Sequence, residues 1–410
     1  MLQAGAFAIA LSVIGCSNSP RLSDAPGGGG GGDSNAAMRA EDAGGIGPGV
    51  GSGGGVGSGG GVGSGGGVGS GGGVGGGGGG GGSMNAGPID AGAIDAGAID
   101  AGQGGVVGPD AGVVPPPSDG GFALRFVALG DVGRGDQGQY QVAAGIATWC
   151  STHACEFAVL LGDNIYDTGV SGPNDPIWQT HFELPYAAVN MPFYAVLGNH
   201  DYGGQGSGNE FNKGQYEVDY SAISTKWRMP DTHYKLNRPG VDMFVANTNL
   251  SMYGLDTAVK SDFSSWLPQS NAKWKIALGH HPYRSNGPHG NAGSYDGVAF
   301  IPIANGAGVK SFLDSRVCGK ADVYLSGHDH SNQWLTARCG VNLNSVGTEL
   351  IVAGAGASAT TLITSGGDFN PNYFQTLDLG FLYVEIVNNT FTGTFVGTSG
   401  NVLFTRTFTK

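Results

Sequence analysis

Cationic side chains are scarce in this chain. Lys and Arg number 19 against 32 Asp and Glu in 410 residues, for a formal charge of −13. That shortage argues against a nucleic-acid backbone as partner, since clustered Lys and Arg would be needed to neutralise its phosphates. It leaves open a phosphate ester held by metal ions. Long apolar runs are missing as well. The run from Ala6 to Ile14 is too brief to span a bilayer. No Cys-x-x-Cys spacing occurs, which makes a cysteine metal site the weaker reading of the five cysteines. The Gly-rich tract has no strand before it and no Lys-Ser/Thr after it, which excludes a phosphate-binding loop.

Glycine is abundant, with 81 residues, most of them before residue 121. Val50, Val56, Val62, Val68 and Val74 recur every six residues, and Asp90, Asp95 and Asp100 every five. Neither period suits a helix or a packed strand, and the units hold too little apolar surface to offset their ordering entropy. Residues 17–121 therefore read as a disordered Gly-rich linker. Residues 122–410 have ordinary composition and length enough for one sizeable core.

The start resembles a bacterial lipoprotein signal. Its apolar run ends Val13-Ile14-Gly15-Cys16, and the resemblance implies lipidation of Cys16, although no Lys or Arg precedes the run. The expectation is an exported cell-envelope lipoprotein (outer membrane, periplasm or cell surface), with simple secretion as the alternative. Membrane contact would come only through that anchor, and a monomer is expected. Four cysteines remain, and an even count in an exported chain suggests two disulfides. Of three possible pairings, Cys150 with Cys155 and Cys318 with Cys339 are favoured because each is local.

Beyond Phe122 the pattern alternates. Strands are expected at Leu124–Leu129, Phe157–Leu161, Phe193–Leu197, Tyr234–Leu236, Val241–Asn247, Trp274–Leu278 and Val323–Leu325. Helices are expected from about Gln137 to Trp149, near Ile177–Val189, from Asp256 to Leu267 and over Val309–Arg316. From Glu349 onward the pattern is mostly β, with the clearest hairpin turning at Asn388-Asn389. Two sheets face to face with helices outside would account for this order, an α+β or α/β class.

Five of these strands run into Gly followed by metal-binding side chains. The segments are Gly130-Asp131-Val132-Gly133, Gly162-Asp163-Asn164-Ile165-Tyr166, Gly198-Asn199-His200-Asp201, Gly279-His280-His281-Pro282 and Gly327-His328-Asp329-His330. One such segment is usually a capped turn. Five in order, carrying carboxylates, imidazoles, an amide and a phenol, point to a two-metal hydrolytic site. Asp131 offers a hard anionic oxygen, and Asp163 sits where one carboxylate can bridge two cations. A phenolate such as Tyr166 suits Fe3+, whose charge lowers the phenol pKa. Asn199 supplies a neutral carbonyl, and His280, His328 and His330 supply imidazoles. His153, His181 and His233 have no motif around them and read as surface or packing residues.

This constellation resembles the metallophosphoesterases, and within them the purple acid phosphatases of the small, tartrate-resistant type. The segment Trp227-Arg228-Met229-Pro230 and the hairpin from Gly380 to Ile386 add to the likeness. The resemblance implies a four-layer αββα sandwich of two mixed sheets flanked by helices. It implies that Asp131, Tyr166 and His330 hold Fe3+, that Asp163 bridges, and that Asn199, His280 and His328 hold Fe2+, Zn2+ or Mn2+. A hydroxide at the metals would then attack phosphorus, His200 would protonate the leaving group and Asp201 would orient His200. Related phosphodiesterases carry Asp-x-His in the first motif, whereas this chain has Gly133 there and Tyr166 three residues after Asp163. That exchange favours small phosphate monoesters over diesters and nucleotides. A surface binding module with structural metals is the competing class. Two departures from the family pattern stand out. His281 replaces a frequent aromatic residue, and Asn286 stands where a His precedes Gly-Pro, with His289 three residues on. His281 and His289 are therefore candidate substrate contacts.

Overall fold

The structure, a computed structural model, describes residues 120–298, 300–343 and 345–410. The expected signal with Cys16, and the linker up to residue 119, lie outside the described residues.

Two seven-stranded sheets carry the site. In the first, β1 (Ala123–Leu129), β2 (Phe157–Leu160), β3 (Phe193–Ala195) and β4 (Trp227–Arg228) run parallel. Antiparallel β12 (Gly380–Val387), β13 (Thr390–Gly397) and β14 (Val402–Thr409) extend the other side of β1. The second sheet holds β5 (Tyr234–Arg238), β6 (Val241–Val245), β7 (Trp274–Leu278), β8 (Val323–Ser326), β9 (Asn332–Leu335), β10 (Glu349–Ala353) and β11 (Asn372–Thr376). Its order is β11-β9-β10-β8-β7-β6-β5, parallel from β6 through β10. β2 and β8 are buried along their whole length, which is why they read as unbroken apolar runs rather than alternating ones.

Helices cover the outer faces. α1 (Gln137–Cys150) packs on β12 and β13, and α4 (Thr257–Gln269) packs on β6. α5 (Ala307–Arg316) packs on α4 and on the short α3 (Thr248–Met252). Asp136 caps α1 by accepting from the Gln139 N–H at 3.0 Å. The two sheets are joined by aromatic rings. Trp274 on β7 meets Phe391 and Phe408 of the other sheet at 5.8 and 5.6 Å, and Trp334 on β9 meets the same pair at 6.2 and 6.3 Å. Both indoles are fully buried, so truncating either to Ala would cost about 3–5 kcal/mol.

Both local disulfides form, Cys150–Cys155 and Cys318–Cys339. The hairpin turns at Asn388-Asn389 as expected, with Asn388 in the left-handed region that such a turn requires. The helix expected near Ile177–Val189 is replaced by one π-type turn, Gln179–Glu183, followed by irregular turns. Pro185 explains the break, since it has no N–H to donate and restricts Leu184 before it. The strand expected to reach Asn247 stops at Val245, because the Asn247 side chain caps α3. Helix α2 (Lys213–Tyr220), α3 and β9 were not expected; each is short or lacks a clear apolar period.

Candidate metal centre

The C-terminal ends of β1, β2, β3, β7 and β8 deliver all seven expected donors to one place. The backbone there is constrained. Asp131, Asp163 and His328 have φ of 61°, 53° and 70°, left-handed values that bulky residues rarely adopt. Each follows a Gly, and two glycines show why. A Cβ on Gly327 would meet Asp131 Oδ2 at 2.5 Å, and one on Gly162 would meet His280 Nδ1 at 2.5 Å.

The donors fall into two groups that share Asp163. In the first, the Tyr166 hydroxyl lies 3.2 Å from Asp131 Oδ1, 3.0 Å from Asp163 Oδ2 and 3.0 Å from His330 Nε2. In the second, His280 Nε2 lies 2.9 Å from Asn199 Oδ1, 3.1 Å from His328 Nδ1 and 3.4 Å from Asp163 Oδ2. His328 and His330 thus diverge from one turn into different groups. The donor atoms of Asp163, His280 and His328 all fall within 4.8 Å of one another.

This crowding fits a pair of cations. One phenol proton cannot fully serve two carboxylate oxygens at once. In the second group, His280 Nδ1 is 2.9 Å from the Leu161 carbonyl and so carries its proton there, which fixes Nε2 toward the cluster. Asn199 points its oxygen inward because its amide nitrogen donates to the Gly206 carbonyl at 2.8 Å. Burial pushes Asp131 well above the usual carboxylate range. Burial also opposes the charge on Asp163, but the imidazoles of His280 and His200 hold it well below that range. Burial opposes the His280 imidazolium, yet Asp163 and Asp131 lift it to about 9.

His200 lies over this cluster. Its backbone N–H donates to Asp163 Oδ1 at 2.9 Å, and its ring Nδ1 is 2.8 Å from the Asp167 carbonyl. That carbonyl orients the ring; Asp201 does not, contrary to expectation. Asp201 points the other way and accepts backbone N–H groups of Gly198, Asn164 and Ile165 at 2.7, 2.8 and 3.1 Å. A buried carboxylate surrounded by loop N–H groups ties loops together. Burial, aided by the nearby Asp163, pushes it up to about 6.

A cleft of about 300 Å³ opens in front of the donors, and His200, His281 and His289 all line it. His281 is buried, with Nδ1 2.9 Å from the Thr248 hydroxyl. His289 stacks on His328 with centroids 4.2 Å apart and pairs with Asp296 at 2.8 Å. Asn286 faces away, bonded to Asn370, Gln333 and Gln375 in a buried network. Ser358 and the carbonyls of Leu161 and Asp167, which orient the imidazoles of His330, His280 and His200, had no signal in the sequence. His153, His181 and His233 are away from this cluster; His153 stacks on Trp149, and His233 pairs with Asp262.

Residues 124–332, just over half of the chain, match the family of calcineurin-like phosphoesterases. The chain belongs to that family. The phosphoesterase is 28% identical over 292 residues to purple acid phosphatase 3 of Arabidopsis thaliana, covering 65% of this chain and 70% of the relative. It is 27% identical over 321 residues to tartrate-resistant acid phosphatase type 5 of Sus scrofa, covering 68% and 85%. Among solved structures it is similar to GAP50, the anchor in the inner membrane complex of Plasmodium, with TM-score 0.53, 23% identity and coverage of 70% and 89%. That last likeness concerns the fold alone. The family implies a dinuclear metal site, and the donor set described above fits one.

Proposed function

We propose that this phosphoesterase is an acid phosphatase that hydrolyses small phosphate monoesters on an Fe3+–divalent metal pair. The observation that carries the reading is the position of Asp163 Oδ2, 3.0 Å from the Tyr166 hydroxyl and 3.4 Å from His280 Nε2, between the two donor groups. Asp131, Tyr166 and His330 would hold the ferric ion. Asn199, His280 and His328 would hold Fe2+, Zn2+ or Mn2+, with Asp163 shared. Once bound, such a pair would lower the pKa of a water, polarise the phosphoryl oxygens and offset transition-state charge.

The protein's own groups supply the remainder. The Asp167 carbonyl fixes the Nδ1 proton of His200, so a second proton on Nε2 is the one available to the leaving alkoxide or phenoxide. His281 and His289 line the same cleft and would contact the phosphoryl group. The two disulfides support an exported chain, and the Val13-Ile14-Gly15-Cys16 ending supports Cys16 as its lipid attachment point. No helix of the described residues is long and apolar enough to cross a membrane. The deciding experiment compares turnover of p-nitrophenyl phosphate with bis(p-nitrophenyl) phosphate on metal-loaded protein. The monoester should be strongly preferred; preference for the diester would overturn the reading.

A further inference from the structure

The cleft has walls that the hydrolytic chemistry does not use. Besides the donors and histidines, its lining includes Met252 and Tyr253 at the end of α3, and Tyr295, Ile303 and Ala304 from the segment leading into α5. One tight contact brings these two stretches together. A Cβ on Gly308, in the first turn of α5, would meet the Ser251 carbonyl oxygen at 1.8 Å, so only glycine lets α5 close against α3.

Both tyrosines have their hydroxyls engaged by backbone. Tyr253 donates to the Ser207 carbonyl and sits edge-on to Phe211, with centroids 5.1 Å apart. Tyr295 donates to the Pro282 carbonyl. What they contribute to the lining is ring carbon rather than a polar handle. Ile303 is 54% exposed, and Ile301 and Phe300 beside it are 58% and 94% exposed. An apolar run left in water at the rim of a reaction cleft is a surface awaiting a ligand. Charge points the same way. No Lys or Arg is among the described residues lining the cleft, and Asp296 is.

We infer that this wall is a leaving-group subsite for phosphate monoesters bearing one uncharged, apolar ring, and that it selects against polyanionic esters such as nucleoside triphosphates. The inference rests on the phosphomonoesterase reading above. The ring would lie against Met252, Tyr253 and Ile303 while the phosphate meets the metal donors. Additional phosphates would find no Lys or Arg among the described residues lining the cleft to offset their charge, an arrangement that discriminates against them.

The test compares kcat/KM for benzyl phosphate and glycerol 1-phosphate. Both release primary alcohols, so their ratio reads the subsite rather than leaving-group reactivity. The native enzyme should favour benzyl phosphate by about tenfold or more, and Ile303→Asp should cut the ratio about tenfold. Calorimetric binding of benzylphosphonate against methylphosphonate should show the same preference and the same loss. A ratio near one in the native enzyme, an unchanged ratio in the variant, or faster turnover of ATP than of benzyl phosphate would overturn the subsite. Failure to hydrolyse any monoester would instead sink the phosphatase reading, and the phosphonate pair would still report on the wall.

Discussion

Asp201 and Asn164 are joined twice, through the Asn164 backbone N–H at 2.8 Å and its side-chain amide at 3.0 Å. The bond links the loop after β3 to the loop after β2, and therefore Asn199 and His200 to Asp163. A residue placed by sequence beside His200 turns out to hold the floor beneath it.

Asp201 and His200 should accordingly fail in different ways. Asp201→Ala removes the acceptor of three buried backbone N–H groups, and should lower stability by about 3 kcal/mol or more. His200→Ala should cost less stability than Asp201→Ala and slow alkyl esters about 100-fold or more, with phenyl esters of good leaving groups affected less. Denaturant titration together with a leaving-group series separates them. Equal losses on all esters in His200→Ala would remove it as the acid.

Asp163→Ala should empty both metal positions, because its carboxylate is common to both donor groups. Elemental analysis showing two retained metals would contradict sharing. Tyr166→Phe should bind iron yet lose the visible charge-transfer band expected of a phenolate on Fe3+. A band that survives the change would transfer the colour to another ligand.

Glu217 gives a pH prediction outside the donor set. It is fully buried, and accepts from the Asn164 amide at 3.2 Å. Burial, and then the charge of Asp201, push its carboxyl well above its ordinary 4.5. The folded chain thus keeps a proton that the unfolded chain gives up. Stability from this group is full below pH 4.5 and is lost as pH rises toward the folded pKa, by up to ~1.4 kcal/mol per pH unit. Glu217→Gln should flatten that slope, so the variant gains on the native protein between pH 5 and pH 8. Urea midpoints at the two pH values measure it; parallel shifts would mean Glu217 is charged when folded.

The two disulfides should differ in weight. Cys318–Cys339 spans 21 residues and Cys150–Cys155 only 5. Loop-closure entropy assigns about 3 kcal/mol to the first and about 2 to the second. Replacing each pair with Ala and comparing thermal midpoints should rank them in that order.

Periodicity made the central strands legible, since β1, β2, β7 and β8 are short apolar runs ending in Gly. The short elements were not. β9 carries Asn332 and Gln333, polar residues whose side-chain amides donate to the Asp378 carbonyl and the Ser285 hydroxyl, so no hydrophobic pattern marks the strand. The partners of the imidazoles were equally silent, since the carbonyls of Leu161 and Asp167 and the hydroxyl of Ser358 belong to no motif. A backbone oxygen gives no residue-type signal.

The sequence by itself determined which residue types reach the site, because each donor sits at a strand end where a local Gly-ligand pattern is sufficient to place it. It also favoured the local disulfide pairing among three, and the structure forms that one. Only the tertiary structure decided which donors share Asp163, which way Asp201 points and what walls the cleft. Those are relations between segments far apart in the chain, as between Asp131 and His328, 197 residues apart. They are set by how two sheets pack, which no local stretch of chain encodes.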